Sequence, residues 1–132
     1  MKLFRRNLLA GISASLLSIF GQVGAEASTA PLTFVAKVSE VGLGQTKIVE
    51  VKPVSGAVFS VAVTHTSGSI VVVSATCTHE SCSVKAAGSE LQCPCHGSAF
   101  NPVSGAVNNG PALLPLRNYI SSEDAGSIYI KI

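Results

Sequence analysis

All four cysteines and two of the three histidines of this chain fall between Cys77 and Phe100. The order is Cys77-Thr78-His79-Glu80-Ser81-Cys82, a spacer, then Cys93-Pro94-Cys95-His96-Gly97-Ser98-Ala99-Phe100. Each box supplies one cysteine and one histidine close together, with a second cysteine nearby. That density of soft ligands constrains the fold more than any other feature, because two separate loops must be brought side by side to use it.

Two thiolates and two imidazoles satisfy a zinc ion, or hold a two-iron, two-sulfur cluster in which two cysteines bind one iron and two histidines the other. Zinc fingers keep like ligands together, whereas each pair here is mixed and His96 lies three residues after Cys93. Mixed pairs favour the cluster, since each loop then contributes one ligand per iron. On the residues alone, a zinc site and a pair of structural disulfides with surface histidines stay open as alternatives.

CTHESC followed by CPCHGSAF resembles the two signature boxes of Rieske iron-sulfur proteins, C-x-H and then C-x-x-H. The resemblance covers about Ile70 to Tyr119 and implies that Cys77 and Cys93 bind the buried iron and His79 and His96 the outer one. It implies a disulfide between Cys82 and Cys95, as in the respiratory, photosynthetic and arsenite-oxidase-like branch. Ser98 aligns with the family serine that donates a hydrogen bond to a bridging sulfide. Phe100 stands where high-potential members carry a tyrosine that donates to a ligand cysteine, so a potential below the quinol-oxidising type is expected. Gly110-Pro111-Ala112 resembles the proline loop that covers the cluster, and proline suits a stiff lid because it fixes the backbone and removes a donor. One departure concerns the tip of the first box. Glu80-Ser81 replaces the Leu-Gly usual in respiratory complexes, and a carboxylate buried unpaired in an apolar quinol pocket costs free energy.

The amino-terminal part reads as an export signal over residues 1–25, with Lys2, Arg5 and Arg6 at its start and an uncharged run of 19 residues from Asn7 to Ala25. Arg5-Arg6 before Leu8-Leu9 resembles a twin-arginine signal. That route is physically sensible for a cluster assembled before the protein crosses a membrane folded. Val23 and Ala25 suit cleavage, which is the expected outcome; retention as an anchor is the alternative, since about 20 apolar residues span a bilayer. Glu26 to Pro31 is a small polar linker, with a reach of about 20 Å when stretched.

The remaining body, residues 32–132, is expected to be one all-β Rieske domain: an antiparallel β sandwich with a small cluster-binding subdomain formed by the two ligand loops. Strand signals cover Leu32–Lys37, Thr46–Val51, Val58–Thr64 and Ser69–Ser74, as β-branched runs separated by Gly, Pro and Ser. Phe59, Val61 and Val63 alternate there with Ser60, Ala62 and Thr64. Ser83–Gln92, with Gly88 in its middle, fits one short hairpin. Arg117–Ser121 and Ser127–Ile132 are expected to close the domain as a pair around the polar turn Ser122–Gly126. The two PVSGAV segments, at Pro53–Val58 and Pro102–Val107, read as Ser-Gly turns rather than a repeat. His65 reads as a solvated turn histidine between Thr64 and Gly68.

Charge excludes one class of partner. Beyond Ala25 six basic residues face seven acidic ones, so the body carries no nucleic-acid footprint. No nucleophile, base or substrate pocket is identifiable, and catalysis by the isolated chain is not expected.

What the resemblance implies is an exported, periplasmic or membrane-facing one-electron carrier or small subunit of an oxidoreductase. Its partner would be a cytochrome, a molybdenum enzyme or a quinol-oxidising cytochrome b type subunit. The iron-sulfur subunit of a cytochrome bc or b6f type complex is the alternative. A ferredoxin of a ring-hydroxylating oxygenase is a third reading, against which Cys82, Cys95 and the leader speak.

Overall fold

A computed structural model describes residues 30–132. The expected export signal over 1–25 and residues 26–29 of the linker lie outside the described residues. Among the described residues, no helix is long and apolar enough to cross a membrane.

Among the described residues, eleven strands and one 3-10 turn, Val38–Glu40, make up the regular structure. Strands β1 (Leu32–Lys37), β10 (Ser121–Asp124) and β11 (Ser127–Lys131) form one sheet in the order β1-β11-β10. A second sheet has the order β2 (Thr46–Val51), β3 (Phe59–His65), β4 (Ile70–Ser74), β9 (Asn118–Tyr119). A third joins β5 (Lys85–Ala87), β6 (Glu90–Gln92), β7 (Ala99–Phe100) and β8 (Val107–Asn109). Every pairing is antiparallel. The all-β expectation therefore holds, and the first two sheets form the sandwich.

The second sheet is the shared wall of the molecule. Along β3 and β4, Val61, Val63, Ile70 and Val72 join Val35, Ile128 and Ile130 in a core against the first sheet. Ala62 and Val73, from the opposite face, join Val84, Leu91, Phe100 and Leu116 in a second core beneath the ligand loops. Successive strand residues point to opposite faces, so Val61, Ala62, Val63 and Thr64 are all buried. The alternation seen in the sequence was thus not an inside-outside pattern. Both faces are covered, which is why a nearly continuous β-branched run suits this strand.

The carboxyl-terminal expectation needs correcting. Asn118–Tyr119 leaves for the second sheet, opposite Val73 and Val72, where Tyr119 stacks on Phe59 at 5.8 Å and lies under the Arg117 guanidinium at 4.6 Å. Ser121–Asp124 is the strand that pairs with Ser127–Lys131. The turn between them is only Ala125-Gly126, both at positive φ (47° and 77°), a two-residue connection whose twist matches the flanking strands.

His65 is also displaced from its expected place. It ends β3 opposite Ile70, is half-buried, and its Nδ1 lies 2.9 Å from the Val41 carbonyl. The turn begins one residue later, where the Thr66 hydroxyl accepts the Ser69 amide at 3.0 Å.

Candidate metal centre

The two boxes are held in one hydrogen-bonding frame, used twice. In the first loop, which leaves the second sheet after β4, the Cys77 amide donates to the Cys82 carbonyl at 2.8 Å and the Ser81 amide to the Cys77 carbonyl at 2.9 Å. In the second, between β6 and β7, the Cys93 amide donates to the Ser98 carbonyl at 2.8 Å and the Gly97 amide to the Cys93 carbonyl at 3.1 Å. The fifth residue of each frame has left-handed backbone, Ser81 at φ 61° and Gly97 at φ 79°. Glycine takes that conformation without steric cost; serine does not.

Between the loops runs the disulfide Cys82–Cys95, with Cα atoms 6.4 Å apart. Its formation leaves Cys77 and Cys93 as the free cysteines, both buried. Above them His79 and His96 are exposed and meet edge to face, with ring centroids 4.9 Å apart. The hairpin β5-β6 spans the expected segment and turns at Gly88, which sets the two loops beside each other.

This arrangement fits an iron pair bound unsymmetrically. Sulfur donors lie on the inner side and imidazole donors on the outer side, so one metal would sit against the core and the other at the surface. Burial pushes the Cys93 thiol up, but the amides of Cys95 and His96 and the Cys77 thiol more than offset this and hold it below its ordinary value, against the repulsion of Glu80. A lowered thiol favours the thiolate that metal ligation requires.

Ser98 is fully buried, and its Oγ accepts the Ala112 amide at 3.1 Å. Phe100, also fully buried, packs in the second core with Leu91, Val84 and Leu116. Its side chain has no hydrogen-bond donor.

The segment Gly110–Leu116 lies over the loops. A Cβ at Gly110, whose φ is 93°, would stand 2.5 Å from the Ser98 Cα and 2.9 Å from the Gly97 carbonyl, so only glycine permits this approach. Pro111 follows and lines a groove with Thr78, His79, Leu113 and Leu114. On the far side, the Thr78 hydroxyl donates to the Leu114 carbonyl at 2.6 Å. The lid is therefore fastened to both loops. Thr78 and the two leucines carried no signal in the sequence that pointed to this role, because their partners lie in a distant segment. Glu80 was noted only as a departure, and the structure sets its carboxylate 3.6 Å from His96 Nδ1.

Comparison with known proteins agrees with this geometry. The curated iron-sulfur subunit of the cytochrome b6-f complex of Chlorobaculum thiosulfatiphilum is 36% identical over 98 residues, which is 73% of this chain and 51% of that protein. The chain thus spans about half the length of that relative. Among solved structures, the cyanobacterial plasma-membrane Rieske protein of Synechocystis PCC 6803 superposes with a TM-score of 0.53 at 33% identity, covering 63% of this chain and 86% of that one. A ferredoxin of Sphingomonas yanoikuyae B1 shares the fold, with a TM-score of 0.62 over 77% of this chain and 99% of the other at 24% identity. The family model of the Rieske [2Fe-2S] domain matches residues 32–120. That match takes in both ligand loops, the lid and nine of the eleven strands, and the chain belongs to the Rieske [2Fe-2S] domain family, whose members bind one such cluster.

Proposed function

We propose that this Rieske electron-transfer protein is exported and serves as a carrier or small subunit of a periplasmic or membrane-bound oxidoreductase. The observation that carries the reading is the buried thiol pair beneath an exposed imidazole pair, on loops joined by Cys82–Cys95. Cys77 and Cys93 are assigned as ligands of the inner iron, His79 and His96 of the outer one. A two-iron, two-sulfur cluster supplies reversible one-electron chemistry in a range of about −150 to +300 mV.

The chain's own residues determine how that chemistry is used. Burial of Cys77 and Cys93 keeps water from the sulfur side, while the rings of His79 and His96 form the edge that a partner can touch. Each ring would give one nitrogen to iron and keep the other on that exposed edge. Ser98 raises the potential by donating toward sulfur, and Phe100 withholds the second donor that a tyrosine would add. Export through the leader is supported by Arg5, Arg6 and the uncharged run behind them, and by a disulfide of the kind that persists in oxidising compartments.

The similarity to a cytochrome b6-f iron-sulfur subunit over most of this chain favours a second reading, a subunit of a quinol-oxidising complex. Glu80 at the tip opposes it. Native protein should contain two irons and two sulfides per chain and give a paramagnetic signal on reduction. Zinc in place of iron would remove the reading. Amino-terminal sequencing separates a cleaved carrier from an anchored subunit, and quinol-linked turnover would favour the second reading.

A further inference from the structure

Two observations at the exposed edge are not used by electron storage itself. Leu113 is 91% exposed and Leu114 66%, and with Pro111 and Thr78 they wall a groove of about 360 Å³ that has His79 on its lining. Nearby, Glu80 stands exposed against His96. Across Cys77–Cys82, Cys93–Ser98 and Gly110–Leu116, Glu80 is the sole Asp, Glu, Lys or Arg.

The face therefore combines an apolar cleft with one carboxylate that meets His96 but, among the described residues, pairs with no Lys or Arg. A side chain seated in the groove would touch His79 directly, and the partner carrying it would cover the histidine edge and Glu80 together. Desolvating that carboxylate without a cation is unfavourable. An uncharged quinol headgroup has no cation to offer. We infer that the groove of Pro111, Leu113 and Leu114, together with Glu80, is a docking face for a redox protein. That protein presents an apolar side chain beside its cofactor edge and a lysine or arginine on the rim. This inference rests on the electron-carrier reading above and names the chemistry of the partner.

The test uses reduced full-chain holoprotein mixed in a stopped-flow instrument with a lysine-rimmed c-type cytochrome, and with the same cytochrome after succinylation of its lysines. Each rate is divided by that of the same preparation with ferricyanide, which needs no groove, so that changes in potential largely cancel. For the unmodified pair the normalised rate should fall as salt is raised, and Glu80→Gln should lower it about threefold to tenfold at low salt while flattening the salt dependence. Leu113→Ser should lower it at every salt concentration. Zero-length carbodiimide cross-linking should join Glu80 to a cytochrome lysine, as read by mass spectrometry. Normal ferricyanide rates with normalised rates unmoved in both variants would overturn the docking face alone. So would equal reactivity of succinylated cytochrome, or reduction of oxidised protein by a water-soluble quinol that depends on Leu113 but not on Glu80. No reaction with ferricyanide either would overturn the carrier reading, and the inference with it.

Discussion

The backbone amide of Ala112 donates to the hydroxyl of Ser98 at 3.1 Å, in a position closed to solvent. One small side chain thereby links the lid to the second ligand loop, and on the function proposed above its proton would be given to sulfur. Ser98→Ala should lower the midpoint potential by roughly 40 mV, the equivalent of one hydrogen bond of about 1 kcal/mol for a single electron. It should also leave the Ala112 amide unpaired, at a cost of about 1–3 kcal/mol. Redox titration reads the first effect and denaturant unfolding the second.

Gly110 has the opposite requirement, an absence of side chain. Its substitution by alanine would drive a methyl group into the Ser98 backbone, and φ at 93° is already unfavourable for a residue with a Cβ. Gly110→Ala should destabilise the lid by about 1–3 kcal/mol and speed release of iron to a chelator, with little change in the far-ultraviolet circular dichroism of the sandwich.

The repeated loop frame places a serine where its counterpart has glycine. Ser81→Gly should stabilise the first loop by about 1 kcal/mol, and Gly97→Ala should destabilise the second by a similar amount. No heavy atom lies within 4 Å of a Cβ built at Gly97, so the second change reports backbone strain without a clash. Denaturation midpoints of the two variants should move in opposite directions.

Cys95→Ser removes the covalent tie between the loops. The cluster should be lost several times faster, while the sandwich, whose core against the first sheet contains no cysteine, should keep its unfolding midpoint within about 1 kcal/mol. Loss of visible absorbance and loss of circular dichroism would then occur at different denaturant concentrations.

Phe100→Tyr restores the hydroxyl that this site lacks. Phe100 belongs to the same buried cluster as Cys77 and Cys93, and on the proposed assignment the added donor would serve a ligand sulfur. The midpoint potential should rise by roughly 40 mV, again one hydrogen bond's worth. An unchanged potential would show that the new hydroxyl bonds elsewhere.

Much of the site was legible because its chemistry is carried by residue type and spacing. His79 meets His96, Cys82 pairs with Cys95, and Cys77 and Cys93 are the free, buried cysteines. Strands β1 and β2 keep their expected bounds, β3 shifts by a single residue, and β4 starts one residue later than expected. What was not legible depended on contacts distant in sequence. The second buried face of β3 comes from Leu91 and Phe100 in another sheet. The two-residue strand at Asn118–Tyr119 is too short to show any period, so it was merged with its neighbour. Likewise, nothing local to His65 announces the Val41 carbonyl, and nothing local to Thr78 announces Leu114.

The lid's two fastenings, Ala112 to Ser98 and Leu114 to Thr78, make it a non-covalent strap in parallel with Cys82–Cys95. Where those cysteines are thiols, the strap still bridges the two loops, together with the contacts of His96 to His79 and Glu80. The two loops therefore keep a lid-mediated connection that does not depend on the oxidation state of Cys82 and Cys95.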